Sequence, residues 1–242
     1  MTPAILCIGG IDSSGGAGLL RDSATIEVLG GRMRAAVTAV TAQDDGGLRA
    51  NLPLPVETVL AQIASAGPVQ AVKIGMLGTA PITRAVAQAL PKGFRVLDPV
   101  LASSSGFALL EPEGMGCLLS DLLPRMDLVT PNLPELYALA RHLGCSSDDT
   151  AAAARVLLGA GAGAVLVKGG HSEGAESVDI LYRPDSEERC FSAPRVDAAL
   201  RGTGCRLASA IACGMARGEP LESAVAAAKA HVHAALRAAR GG

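Results

Sequence analysis

Five glycines crowd into Gly9-Gly10-Ile11-Asp12-Ser13-Ser14-Gly15-Gly16-Ala17-Gly18, between an apolar run and a helical pattern. Glycines let a backbone approach a ligand closely, and the start of a helix offers free amides to an anion. The spacing matches neither GxxxxGK[ST] nor GxGxxG, so the usual nucleotide motifs do not fit. Asp22, on the first turns of the following helix, can face the same pocket, although a lone acid on a helix is more often solvated. A second segment, Leu200-Arg201-Gly202-Thr203-Gly204-Cys205, leads into another apolar helix. Small residues there expose the first N–H groups to a developing negative charge, and a cysteine at a helix start can have a lowered pKa and act as a base.

Two further segments are weaker. Thr130-Pro131-Asn132-Leu133-Pro134-Glu135 sets Asn132 and Glu135 on one face of a helix start. That spacing suits a hydrated Mg²⁺ bridging phosphates, and it equally suits a capping box. Val167-Lys168-Gly169-Gly170-His171 ends a strand with a lysine beside two glycines, where the ammonium can meet phosphate as a point charge. Two other patterns carry no chemistry. The GxGxxA match at Gly159–Ala164 precedes a strand instead of following one, and His231 and His233 face different ways on a helix.

Positioning these groups is the task of short apolar runs that alternate with helical patterns. Strands are expected at Ala4–Ile8, Ala35–Ala42, Val69–Ile74, Phe94–Leu97, Asp127–Val129 and Ala164–Val167. Helices are expected at about Ala17–Leu29, Val56–Ala66, Ile82–Leu90, Leu133–His142, Thr150–Leu158 after Asp148 or Asp149, Cys205–Met215 and Leu221–Ala239. Val178–Tyr182 and Glu188–Ser192 read as an edge hairpin. Such alternation predicts an α/β fold, a mostly parallel sheet with helices on both faces, and ligands at the loops leaving the strands' carboxyl ends. No repeat or linker divides residues 1–242, which read as one domain.

Composition narrows the partners. Lysine and arginine number 21 against 23 acidic residues, so no field exists to collect a polyanion. With two Tyr, three Phe and no Trp, stacking of single-stranded bases is excluded as well. The core must be aliphatic. Six cysteines lack any CxxC spacing, the N-terminus has no secretory pattern, and the longest apolar stretch is too short for a bilayer. A cytoplasmic enzyme is the expectation, with no nucleic-acid or membrane partner.

Taken together, Gly9–Gly18 with Asp22, Thr38–Gln43, Lys73-Ile74-Gly75-Met76-Leu77, Leu97-Asp98-Pro99-Val100, Thr130–Glu135, Val167–His171 and Gly202–Cys205 resemble the ribokinase-like superfamily. Within it the chain is most similar to the hydroxymethylpyrimidine/phosphomethylpyrimidine kinases of thiamine biosynthesis, over about residues 3–235. The resemblance implies a three-layer α/β/α sandwich, ATP and Mg²⁺ as cofactors, a small-molecule pyrimidine substrate and a homodimer. It implies Cys205 as the base that activates the substrate hydroxymethyl, and the amides of Gly202, Thr203, Gly204 and Cys205 as an anion hole. Gln43 would bond the pyrimidine edge, Gly10 and Asp22 would line its pocket, and Met76 and Val100 would meet the ring faces. Asp98, Asn132 and Glu135 would position Mg²⁺, while Lys168 and Asn132 would serve the nucleotide.

Three departures accompany the resemblance. Ser104-Ser105-Gly106-Phe107 stands where the family usually has Lys-Ser-Gly-Asp, Arg201 stands for a histidine, and Arg206 follows the cysteine where a hydroxyl residue is usual. The alternatives are a pyridoxal- or pyridoxine-type vitamin kinase on the same fold and a catalytically weak pyrimidine-binding relative.

Overall fold

A computed structural model of the chain describes residues 2–44, 47–103, 106–171 and 174–240. Its strands are β1 (Ala4–Asp12), β2 (Arg32–Asp44), β3 (Gly47–Pro53), β4 (Ala71–Ile74), β5 (Phe94–Leu97), β6 (Leu128–Val129), β7 (Val165–Val167), β8 (Glu176–Tyr182) and β9 (Arg189–Pro194). They form one sheet in the order β3-β2-β1-β4-β5-β6-β7-β8-β9. The strands from β2 to β7 run parallel, and antiparallel pairing is confined to β3 at one edge and the β8–β9 hairpin at the other.

The helices are α1 (Gly18–Val28), α2 (Val56–Ser65), α3 (Ala80–Ala89), α4 (Pro112–Cys117), α5 (Leu133–His142), α6 (Thr150–Gly159), α7 (Thr203–Ala216) and α8 (Leu221–Arg240). Strand side chains alternate between faces, so β1 divides its apolar residues between two cores. Ala4, Leu6 and Ile8 pack with Ile63 of α2, Val86 of α3, Leu139 of α5 and Leu157 of α6. Ile5 and Cys7 pack with Ile26 of α1, Ile211 of α7 and Val225 of α8. The three layers are the ribokinase-like α/β/α arrangement that the sequence predicts. No helix among the described residues is long and apolar enough to cross a membrane.

Two stretches depart from the expected elements. β3 joins β2 antiparallel, but Arg49 and Asn51 interrupt any apolar alternation and most of the strand is solvent-facing. Residues 112–125 form α4, a π-helical turn over Leu118–Leu122 and a 3₁₀ turn over Leu123–Arg125. There Pro112, Pro124 and two glycines hide the helical period, while Leu118, Leu119, Leu122 and Leu123 are buried.

β1 marks the point where the strand order reverses. Its neighbours are β2 on one side and β4 on the other, so the crossover helices leave in opposite directions and open a crevice beyond its carboxyl end. Whatever the protein binds is expected there.

The split of β1 between two cores gives a direct check. Ile5→Ala empties a fully buried position and is expected to cost about 2–5 kcal/mol. Val28→Ala, at a position 74% exposed, is expected to stay within about 0.5 kcal/mol. Urea midpoints of the two variants measure the difference.

Candidate active site

A cleft opens at this reversal point, lined by Gly10, Asp12, Asp22, Thr41, Gln43, Lys73, Gly75, Met76, Val100, Leu109 and Cys205. A Cβ at Gly10 would sit 2.9 Å from the Met76 sulfur, so any larger residue there would push the Met76 side chain aside. Thr38 fixes Met76 from behind, its hydroxyl donating to the Met76 carbonyl at 2.7 Å. All five residues expected to bind substrate, together with Cys205, line this one cleft. None of its walls is aromatic.

Beneath the cleft lies a buried ion pair. Lys73 Nζ donates to both carboxylate oxygens of Asp22 at 3.0 and 2.8 Å, and Ser209 Oγ donates to Asp22 Oδ1 at 2.8 Å. The three groups join β4, α1 and α7, and all are essentially inaccessible to water. Asp22 is therefore not the solvated helix acid that its isolation in sequence suggested. Burial alone would lower the Lys73 ammonium, but the Asp22 carboxylate beside it keeps it above its usual range. Burial raises the Asp22 carboxyl, and Lys73 and Ser209 oppose that rise.

Cys205 stands over this pair at the start of α7. Gly202 takes a left-handed conformation, φ 72°, which turns the chain into the helix, and a Cβ there would run into the Gly16 carbonyl oxygen. No side chain caps α7, so the first-turn amides of Thr203, Gly204 and Cys205 have no intrahelical partner and can receive an anion. The expectation of a lowered cysteine pKa is overturned. Burial pushes the thiol up to about 11, against the pull of the Lys73 ammonium and a hydrogen bond from the Gly18 amide. Loss of water outweighs the helix start.

A second groove, of about 420 Å³, opens on the other side of α7 and is lined by Lys168, Thr203, Gly204, Leu207, Lys229 and His233 among others. That volume falls in the range of small-molecule sites. Lys168 Nζ lies at the groove's inner end, 2.7 Å from Asp98 Oδ1 and 3.6 Å from Glu135 Oε2. Burial disfavours the Lys168 charge, but Asp98 and Glu135 together hold the ammonium above its ordinary value. Glu135 is raised by burial despite Lys168. A Cβ on Gly204 would fall 3.2 Å from Lys168 Nζ and 3.4 Å from Asp98 Oδ2, so this charged cluster abuts the α7 amides.

Asn132 and Glu135 form a reciprocal capping box at the start of α5, each accepting from the other's backbone N–H at 2.8 Å. One lone-pair site on each is thereby engaged. Among the described residues no three His, Cys, Asp or Glu side chains cluster as a ready metal cage. The remaining oxygens of Asp98 and Glu135 are hard donors on either side of Lys168, a set suited to Mg²⁺ that also keeps phosphate and water ligands.

Several site residues escaped the motif reading. Lys73 and Asp12 stood inside recognised segments with no role, and Ser209 lay in an apolar helix. Only the tertiary pairing of distant segments reveals them. Of the departures, Arg201 pairs with Asp12, which lines the cleft, whereas Arg206 lies beside Arg21 and His231, with burial and Arg21 lowering its guanidinium pKa. Phe107 is 53% exposed and lines neither cleft. Ser104 and Ser105 lie outside the described residues.

This arrangement has relatives. A family model described as phosphomethylpyrimidine kinase matches residues 12–241. The chain belongs to the phosphomethylpyrimidine kinase family. It is therefore a phosphotransferase, as the resemblance implied. A hydroxymethylpyrimidine/phosphomethylpyrimidine kinase of Rhizobium meliloti is 42% identical, over 99% of this chain and 92% of its own length. A bifunctional thiamine biosynthesis protein of Geobacter sulfurreducens is 38% identical, with 98% of this chain aligned to 50% of that longer one. Among solved structures, phosphomethylpyrimidine kinase from Clostridium difficile superimposes with a TM-score of 0.80 at 33% identity, covering 97% of this chain and 100% of that one. Pyridoxal kinase from Staphylococcus aureus, in complex with AMP-PCP and pyridoxal, gives a TM-score of 0.85 at 28% identity, covering 98% and 88%.

Breaking the buried pair in this family member has a signed consequence. Lys73→Met leaves Asp22 charged or forces it to take up a proton, and is expected to cost about 3–5 kcal/mol in chemical denaturation. Adding Asp22→Asn removes the uncompensated charge, so the double variant is expected to recover part of that loss.

Proposed function

We propose that this chain is an ATP-dependent kinase that phosphorylates the hydroxymethyl group of 4-amino-5-hydroxymethyl-2-methylpyrimidine and then its monophosphate. The observation that carries the reading is the position of one helix start between two clefts. Cys205 faces the smaller cleft, while Thr203 and Gly204 face the groove that holds Lys168. A donor phosphate and an acceptor hydroxyl brought from opposite sides meet at the same amides. Residues 1–242 act as one kinase domain in this reading, and a homodimer in the cytoplasm is the family-level expectation.

The pyrimidine enters the smaller cleft with its edge toward Gln43 and its faces against Met76 and Val100. Gly10 and Asp22 complete the walls. Its hydroxymethyl lies at Cys205, whose thiolate takes the hydroxyl proton as the oxygen attacks the terminal phosphorus of ATP. The bond from that phosphorus to the bridging oxygen breaks, ADP leaves, and the thiol later returns its proton to water. Little covalent work falls to the protein, so positioning and charge neutralisation dominate. The Gly202–Cys205 amides receive the transferring group and Lys168 meets the nucleotide phosphates, next to Asn132. Asp98 and Glu135, with Asn132 holding Glu135 in its cap, would carry Mg²⁺, which when bound supplies further neutralisation of phosphate charge.

A second reading, pyridoxal as the acceptor, draws on the likeness to the Staphylococcus aureus enzyme. The same cleft would take a flat six-membered ring of similar size. Competition between the pyrimidine and pyridoxal for one ADP-forming reaction decides between them, and the pyrimidine is expected to have the higher kcat/KM.

Cys205 makes the sharpest test. Because its thiol is held at about 11, the base form is scarce at neutral pH and grows about tenfold per pH unit below that value. ADP formation limited by chemistry is therefore expected to climb from pH 7 to 9. Cys205→Ala is expected to be about 10²–10⁴-fold slower and nearly pH-independent over that range. A wild-type rate that is flat in pH, or unchanged by the substitution, would remove Cys205 as the base.

A further inference from the structure

Arg201 immediately precedes the anion hole and is bonded to Asp12, one of the residues that line the smaller cleft. Its Nη2 donates to Asp12 Oδ2 at 2.9 Å and its Nη1 to Ser14 Oγ at 3.0 Å, joining the glycine-rich loop to the start of α7 across 187–189 residues. Asp12 is 4% exposed and its carboxylate is already anchored, accepting from Ser14 N, Ser14 Oγ and Ala17 N at 3.0, 2.8 and 3.0 Å. The acid therefore serves as a fixed post. The guanidinium it holds keeps 28% of its side-chain surface exposed.

A guanidinium has five N–H donors in a rigid fork. Two are engaged here, so three remain while the ion pair with Asp12 stays intact. Phosphate is the planar fork's natural partner, bonded by two parallel N–H groups. The α7 amides can satisfy one anionic group. An acceptor that already bears a phosphate brings a second, and Arg201, bonded to the cleft-lining Asp12 and next to the α7 amides, has donors left for it. Lys73 is committed to Asp22, and Lys168 is committed to Asp98 and Glu135 on the nucleotide side.

We infer that Arg201 is the specificity residue for the second phosphorylation, binding the phosphate of the monophosphorylated pyrimidine while Asp12 and Ser14 hold its guanidinium in place. The inference rests on the kinase reading above. It differs from a purely structural latch between the glycine loop and α7, because a latch would serve both acceptors alike.

The ratio of kcat/KM for the two acceptors separates these roles. Arg201→Gln is expected to lower kcat/KM for the monophosphate by about 10- to 100-fold, the effect of losing charge-assisted hydrogen bonds, and to change that for the unphosphorylated pyrimidine by less than about threefold. Arg201→Lys, which keeps the charge but not the fork, is expected to restore part of the monophosphate activity. Equal losses on both acceptors, no loss on either, or a wild-type enzyme that turns over only the unphosphorylated pyrimidine would each overturn the inference. Wild-type turnover of neither pyrimidine would overturn the kinase assignment itself and this inference with it.

Discussion

A lysine and an aspartate sealed from water, Lys73 and Asp22, hold together the three elements that build the active site. Neither group could stay charged there alone, because a buried ion without a partner is too costly. Their pairing, completed by Ser209, fixes α1 and α7 against the end of β4. The start of α7 is thereby held at the reversal point of the sheet, and with it the amides and thiol that face both clefts. Such a pair need not add net stability over an apolar core. Its value is in place: it sets an ammonium close to Cys205, in the wall of the smaller cleft.

Charge is handled differently beside the larger groove. Lys168 is shared between two carboxylates, Asp98 and Glu135, so the local balance is acidic until phosphates and a divalent cation arrive. In the ligand-free arrangement each ion is satisfied by a neighbouring side chain. Arg201 follows the same logic beside the smaller cleft, tied to Asp12 yet with donors to spare. The candidate site is thus a set of ion pairs arranged around one uncapped helix end.

Much of this was legible in the sequence because short apolar runs and glycine-rich turns are local signals. The strand–helix alternation placed the sheet, and the carboxyl-end rule placed Gly10, Gln43, Met76 and Cys205 near one another. What stayed hidden depended on distant partners. Asp22 looked solvated because its lysine lies 51 residues away. Cys205 looked acidic from its helix position, but burial outweighed that position. β3 and the 112–125 turns were missed since polar residues, prolines and glycines break their periodicity. The scarcity of aromatic residues is matched in the smaller cleft, whose apolar surface among the described residues includes Met76, Val100 and Leu109.

If the proposed reaction holds, one helix start receives the transferring phosphoryl group with donor on one side and acceptor on the other. A crystal structure of the enzyme with the pyrimidine, ADP, Mg²⁺ and an aluminium fluoride mimic of the moving phosphoryl tests it most directly. The fluoride group is expected in hydrogen-bond contact with the Thr203, Gly204 and Cys205 amides, with the substrate oxygen between it and the Cys205 sulfur. A fluoride group bound away from α7, or a pyrimidine whose hydroxymethyl points away from Cys205, would contradict it.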